Sequence, residues 1–232
     1  MTNTNFENGS GLDDTTTDHL TTAYDIALMS RELLKHEKIT DYTTVWMDSL
    51  RDGATELVNT NRLVRFYNGT TGLKTGTTSR AGHCLSASAE RDGLHLIAVV
   101  MGASNSTDRF EGAKALLNWG FSNYETVTPT VDSALLTPVR VKKGVDAYVM
   151  PKVGEIQPLT LRKGLKDKTE TEITLSDYIE APCEENQIIG KVVIRAEGET
   201  VGEYNFLCEK SVERITFGAM ILRFLKVLSK SL

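Results

Sequence analysis

The tripeptide Lys74-Thr75-Gly76, set in the run Gly72-Leu73-Lys74-Thr75-Gly76-Thr77-Thr78, is the segment whose residue types and spacing could do chemistry. On an extended strand, the Lys74 ammonium holds positive potential where an oxyanion or a carboxylate could sit. The Thr75 hydroxyl can donate to that carboxylate. Gly76 has no Cβ, so a ligand backbone can approach the strand edge closely. These are the parts of the binding half of an acyl-transfer site. The attacking half needs an activated nucleophile beside a base, and no serine stands three residues ahead of a lysine anywhere in the 232 residues. Nor does any Ser-x-Asn occur. Thr71-Gly72-Leu73-Lys74 and Thr160-Leu161-Arg162-Lys163 fit Thr-x-x-Lys formally. Neither segment has helical periodicity, which that geometry requires. Ser10, Ser79 and His83 read as loop or core residues. No catalytic residue is therefore expected in the chain.

The elements that must position the tripeptide follow from periodicity. A helix is predicted over about Thr22 to His36, with Ala23, Ile26, Ala27, Ser30, Leu33 and Leu34 on one face and Thr22 and Asp25 as a capping pair. Thr43 to Arg65 reads as short strand-like pieces and loop. Cys84–Glu90 and Leu94–Gly102 are strand candidates joined by Arg91-Asp92-Gly93, and an Asp-Gly between two such runs signals a hairpin. A second helix spans about Thr107 to Phe121, with Phe110, Ala113 and Leu117 on one face. The character changes near Thr128-Pro129-Thr130. Beyond it come short strands: Val139–Val141, Ala147–Met150, Glu172–Leu175, Lys191–Ala196 and Tyr204–Cys208, the last two flanking Glu197-Gly198-Glu199. Strands so spaced, without intervening helices, indicate a small antiparallel β-domain. From about Val212 helical periodicity returns. Phe217, Met220, Ile221, Phe224, Leu225 and Leu228 form an apolar face, with Arg223, Lys226 and Lys230 on the other side and no acid after Glu213. Such a helix can lie in a membrane interface or dock on its own protein.

Composition bounds the rest. The chain is 40% hydrophobic and 25% charged, with a net charge of −5, which gives no electrostatic reason to expect nucleic acid as a partner. Cys84, Cys183 and Cys208 lack metal-ligand spacing and read as small buried hydrophobes, so neither a metal nor another cofactor is expected. Met1 to Asp18 is polar and is no signal peptide, and no apolar run reaches transmembrane length.

Taken together, the chain resembles the C-terminal part of the D-alanyl-D-alanine carboxypeptidases, the low-molecular-weight penicillin-binding proteins of peptidase family S11. In that family a Lys-Thr-Gly strand works with a Ser-x-x-Lys nucleophile motif and a Ser-x-Asn type motif, and this chain has only the first. Met1-Thr2-Asn3-Thr4-Asn5-Phe6 with Asn8, Gly11 and Leu12 resembles the stretch after the Ser-x-Asn motif. Asn59-Thr60-Asn61-Arg62-Leu63 and Gly72 to Gly76 resemble the approach to the site strand. Val100-Met101-Gly102-Ala103, Arg109 and Leu117-Asn118-Trp119-Gly120-Phe121 resemble the strand and helix that close the peptidase domain.

The resemblance implies an α+β fold: the C-terminal portion of a penicillin-binding/β-lactamase-like transpeptidase domain (1–128), a small antiparallel β-domain (129–210) and a terminal amphipathic helix (211–232) that associates with a membrane surface. It assigns substrate contacts to Lys74, Thr75, Gly76, the Thr77 backbone N–H as an oxyanion donor, and Arg109 as a holder of the D-alanine carboxylate. The implied partners are a peptidoglycan stem peptide ending in D-Ala-D-Ala and, for the complete enzyme, β-lactams. The complete protein is expected at the extracytoplasmic face of the cytoplasmic membrane. This chain alone is expected to be inactive, to start at a methionine internal to the family sequence, and to expose apolar surface on residues 1–128. The alternative is a non-catalytic wall- or membrane-associated binding module.

Overall fold

Two hairpin turns with positive φ at both central residues set the main sheets: Asp92-Gly93 (50° and 75°) and Glu197-Gly198 (51° and 84°). Paired positive φ is the type I′ geometry, whose twist matches that of the flanking strands. The computed structural model describes residues 1–12 and 16–228, so Lys230 lies outside the described residues. The chain divides into two units, Met1–Glu125 and Thr126–Leu232.

The first unit runs α1 (Ala23–Leu33), α2 (Thr40–Thr43), β1 (Met47–Leu50), β2 (Thr55–Val58), α3 (Leu63–Phe66), β3 (Thr70–Thr78), β4 (Gly82–Arg91), β5 (Leu94–Ala103) and α4 (Ser106–Asn123). β3, β4 and β5 form one antiparallel sheet in that order. Side chains alternate between faces along a strand. The register therefore puts Thr75, Leu85 and Val100 on one face, with Ala87, Ala98, Ala89 and Leu96 beside them. α4 closes that face with Phe110, Ala113 and Leu117, joined by Leu63 and Tyr67 from the α3 segment. Asn105 caps α4 by accepting from the Asp108 N–H at 2.9 Å. The opposite face carries Lys74 against Ser86, and Glu90 against His95.

α1 meets this polar face, and its burial differs from the apolar face expected of it. Thr22 does cap it, accepting from the Asp25 N–H at 3.1 Å. Of the expected face Ser30 is buried and Ile26, Ala27 and Leu34 are half-buried, but Ala23 and Leu33 are exposed, and the other buried residue is Asp25. The reason is hydrogen bonding from distant positions. Asp25 Oδ2 accepts from the Asn3 N–H (3.1 Å) and the Thr4 hydroxyl (2.7 Å), and Ser30 pairs with the Ser86 hydroxyl at 2.7 Å. Large apolar side chains stand in solvent in this unit, with Tyr24 72%, Phe66 65% and Trp119 60% exposed.

The unit boundary falls inside β6 (Tyr124–Val127). The second unit continues with β7 (Val139–Lys142), β8 (Tyr148–Val149), β9 (Pro151–Val153), β10 (Leu159–Arg162), β11 (Thr169–Leu175), β12 (Tyr178–Glu180), β13 (Ile188–Ala196), β14 (Glu199–Cys208) and α5 (Phe217–Leu228). A four-stranded sheet, β11-β13-β14-β9, and a three-stranded one, β12-β7-β8, enclose a core built on Phe206, Val192, Val149 and Ile189. The expectation of a purely antiparallel domain needs one correction. β7 and β12 pair in parallel, which the long connection between them permits.

The last helix also begins later than its periodicity suggests. Val212 is buried and exchanges backbone hydrogen bonds with Cys183, while Val145 and Ile215 tie the following residues to the 143–145 loop. Residues 212–215 thus belong to the β unit, and the helix starts at Phe217.

Candidate functional site

β3 carries Lys74, Thr75, Gly76 and Thr77 on an edge of the sheet, since β4 is its one strand partner among the described residues. The strand is fixed at its N-terminal end. Thr43 Oγ1 donates to the Thr71 carbonyl (2.6 Å), and the fully buried Asn61 donates through Nδ2 to the Gly72 carbonyl (3.0 Å). Thr75 is buried, and its hydroxyl bonds to that of Thr60 at 2.7 Å. Lys74 is exposed, and its ammonium donates to the Thr75 carbonyl.

Two glycines of the strand differ in purpose. A Cβ at Gly72 would lie 2.9 Å from Thr43 Cβ and Oγ1, so packing demands glycine there. Around a Cβ at Gly76 there is nothing within 4 Å. The fold does not need that glycine; the open space beside it is available to a ligand.

Arg109 comes from the first turn of α4 and reaches the same strand. Its Nη1 donates to the Thr77 hydroxyl (3.1 Å), the Gly76 carbonyl (3.2 Å) and the Cys84 carbonyl (3.4 Å). The side chain is 7% exposed, and its Nε has no hydrogen-bond partner. Burial pushes the guanidinium below its ordinary value, with Cys84 opposing that and Arg62 adding to it; arginine remains a cation throughout. No described carboxylate forms an ion pair with it. The five sequence-predicted site residues are therefore neighbours. His83 stands opposite Thr77, its Nδ1 3.3 Å from the Thr77 hydroxyl. Ser10 is exposed and bonds to Asn8 (3.1 Å), and Ser79 lies in the exposed turn after β3. The site is an open edge. Two concave regions of the surface, about 370 Å³ at Leu135, Thr171 and Leu175 and about 220 Å³ at Phe66, Phe110 and Lys114, are not lined by any of the five. Among the described residues no group of three or more His, Cys, Asp or Glu could hold a metal ion.

Sequence reasoning gave no role to Thr60 or Asn61, which orient Thr75 and Gly72. The signal was available in Asn59-Thr60-Asn61. Asn59 Oδ1 accepts from the Asn61 N–H (2.9 Å), an Asx turn that presents the two following side chains to β3.

Residues 1–105 match the family model described as D-alanyl-D-alanine carboxypeptidase, and residues 124–214 match the one described as penicillin-binding protein 5, C-terminal domain. The chain belongs to this family, the low-molecular-weight penicillin-binding proteins. D-alanyl-D-alanine carboxypeptidase DacF of Bacillus subtilis (strain 168) is 36% identical over 227 residues, 96% of this chain and 58% of the relative. DacC of Escherichia coli (strain K12) is 31% identical over 226 residues, 97% of this chain and 56% of the relative. Penicillin binding protein 5 from Haemophilus influenzae superposes with a TM-score of 0.73 at 28% identity, over 91% of this chain and 61% of that one. The chain thus spans a little over half the length of the curated relatives it matches. The α+β fold, with its second β-rich unit, is that of the family.

Proposed function

We propose that this chain carries the substrate side of a serine-type D-Ala-D-Ala carboxypeptidase and does not complete the reaction alone. The supporting observation is Arg109, a buried cation without a carboxylate among the described residues, bonded to the strand that bears Lys74-Thr75-Gly76. A buried charge without a partner is costly, and an incoming carboxylate would supply one through charge-assisted bonds. The ligand is an extended peptidoglycan stem peptide ending in D-Ala-D-Ala. Arg109 and the Thr75 hydroxyl hold its terminal carboxylate, and Gly76 leaves room for its backbone. The Thr77 N–H faces the developing oxyanion, and Lys74 polarises the scissile amide.

In the complete enzyme an activated serine is acylated by the penultimate D-alanine carbonyl, terminal D-alanine leaves, and water releases the trimmed stem. β-Lactams take the same place. This chain contains no Ser-x-x-Lys, so labelled penicillin should leave the pure chain unmodified. Titration of an N-acylated peptide ending in D-Ala-D-Ala, followed by amide NMR shifts, should perturb β3 and the first turn of α4, and Arg109→Ala should abolish the effect. Covalent labelling of the chain, or shifts that Arg109→Ala leaves intact, would overturn this reading.

The domain roles belong to the same proposal: 1–128 as partial peptidase domain, 129–210 as second domain, and 211–232 as the membrane-associating end of a protein working on the extracytoplasmic face. Membrane contact is supported by the exposed apolar residues of α5, namely Phe217, Met220, Ile221, Leu222 and Leu225. Among the described residues no helix is long and apolar enough to cross a bilayer, and an amphipathic helix of this kind can lie in the interface. Deleting residues 217–232 spares Val212 and the β core and should abolish co-sedimentation with anionic vesicles; unchanged binding would refute this part.

A further inference from the structure

The second unit buries two of the chain's three cysteines in one core. Cys183 is 2% exposed and Cys208 0%, and both pack with Val149, Ile189, Phe206 and Val212. Residues 183–187 and 208–212 run side by side and are tied at both ends. At one end the Cys183 N–H donates to the Val212 carbonyl (3.1 Å) and the Val212 N–H to the Cys183 carbonyl (2.9 Å). At the other the Cys208 N–H donates to the Gln187 carbonyl (2.8 Å) and the Asn186 N–H to the Cys208 carbonyl (3.0 Å). Between them Glu184 to Gln187 folds back as a turn, the Gln187 N–H donating to the Glu184 carbonyl (3.2 Å), and the Glu185 N–H reaches Ser211 Oγ (2.9 Å).

That turn shortens the 183–187 segment and draws its two ends together. Cys183 and Cys208 consequently approach across a short ladder, and both side chains enter the same core. Both are free thiols in the structure and adjoin each other in that core. Burial first, and then the adjoining Cys183 thiol, push Cys208 up to about 11. Once folded, Cys208 is held as the thiol, a poor nucleophile, and both cysteines are shielded from solvent. Any covalent chemistry between them must therefore precede closure of the core. Cys84 belongs to the other unit, is only partly buried, and donates its thiol to the Ala81 carbonyl (3.4 Å).

We propose that Cys183 and Cys208 are a disulfide site, closed during folding by exchange with a small-molecule disulfide, and that Cys84 is left as the free thiol. The exchange runs in two displacements. The thiolate of one cysteine attacks a sulfur of oxidised glutathione, an S–S bond forms between protein and glutathione, and one glutathione thiolate leaves. The thiolate of the second cysteine attacks the protein sulfur of that mixed disulfide and expels the second glutathione thiolate. Two protein thiols are oxidised and one glutathione disulfide is reduced, with the two protein protons ending on the two released glutathiones. The loop so closed contains all of β13 and β14, the central pair of the larger sheet. The bridge restricts the unfolded chain where the core strands must find each other.

The test uses the full chain, reduced, denatured and refolded by dilution into oxidised and reduced glutathione, then quenched in acid, unfolded and alkylated. Mass spectrometry should find a single alkyl group, on Cys84, and the tryptic peptides 169–191 and 196–210 joined to each other. Cys84→Ser refolded in the same way should take up no alkyl group. Alkylation at three positions, a glutathione adduct on Cys183 or Cys208 in place of the bridge, or a bridge involving Cys84 would each overturn the assignment.

Discussion

On the α4 side of the β3–β4–β5 sheet stand Leu85, Ala87, Ala89 and Ala98, almost wholly buried and packed against Phe110, Ala113 and Leu117. On the other side of the same strands stand Lys74, Ser86, Ser88 and His95; Ser86 bonds to the Ser30 hydroxyl, and Ser88 and His95 to that of Thr71. The first face is apolar and closed by a helix of the same unit. The second is polar along β3 and β4 but carries Ile97 and Val99 on β5, and α1 meets it with a buried hydroxyl pair, Ser30 with Ser86. An apolar face stabilises in proportion to the area it removes from water. A polar face gains little net energy from each bond but loses much when a buried group is left unpaired. The Lys-Thr-Gly strand draws on both sides, since Thr75 and the Arg109 contact belong to the α4 face and Lys74 to the other.

That contrast breaks most readily at Phe110. It is 5% exposed, and Phe110→Ala should cost about 3–5 kcal/mol, the range for deleting a buried aromatic side chain. Both tryptophans, Trp46 and Trp119, lie in the first unit. Urea unfolding followed by tryptophan fluorescence therefore reads this unit. A loss below about 1 kcal/mol, the mark of a surface site, would mean that α4 does not close the core.

The next largest effect is on the polar face. Ser86→Ala leaves the Ser30 hydroxyl, itself 4% exposed, without its partner and should cost about 1–3 kcal/mol. Adding Ser30→Ala should recover most of that loss, because removing both partners leaves no unpaired group. Additive losses in the same urea measurement would show that the pair is not what joins α1 to the sheet.

The apolar face is also the part that was legible beforehand. Phe110, Ala113 and Leu117 recur at helical spacing, and Asp92-Gly93 specifies its turn locally, so helix, hairpin and core follow from neighbours in sequence. The grouping of Lys74, Thr75, Gly76, Thr77 and Arg109 came from motif and resemblance, and the structure brings those residues together. The polar face was not legible. Asp25 and Ser30 sit within an apparent amphipathic helix, and their partners are Thr4 and Ser86, 21 and 56 positions away. Periodicity reports burial by apolarity and is silent about buried hydroxyls and carboxylates. Thr60 escaped notice for the same reason, as did the parallel pairing of β7 with β12 and the extended run at Val212.

A pH titration sharpens the contrast further, because His95 lies on the polar face. Its pKa is lowered chiefly by burial, with Glu90 acting in the opposite direction. The unfolded chain, with its imidazole near 6.5, thus binds the proton more readily than the folded one. Stability from this group is complete above that pH and is lost as pH falls toward and through the lower folded value. The urea midpoint of the first unit should fall on acidification, and His95→Gln should lessen the fall. An identical pH profile for the variant would mean that another group sets the slope.

The smallest effect on stability is expected at Gly76, where it separates binding from folding. Nothing lies within 4 Å of a Cβ at that position, and its φ is not in the left-handed region. Gly76→Ala should therefore change the urea midpoint by no more than an ordinary surface substitution, within about 0.5 kcal/mol. Gly72→Ala meets Thr43 at 2.9 Å and should destabilise the same strand clearly. If Gly76 is there for a ligand, the methyl group stands in the path of the approaching peptide backbone. The NMR response to a D-Ala-D-Ala peptide should then disappear in a protein that remains fully folded. Retained binding in Gly76→Ala would put the peptide elsewhere than along this edge, and a large loss of stability would make the glycine a requirement of the fold.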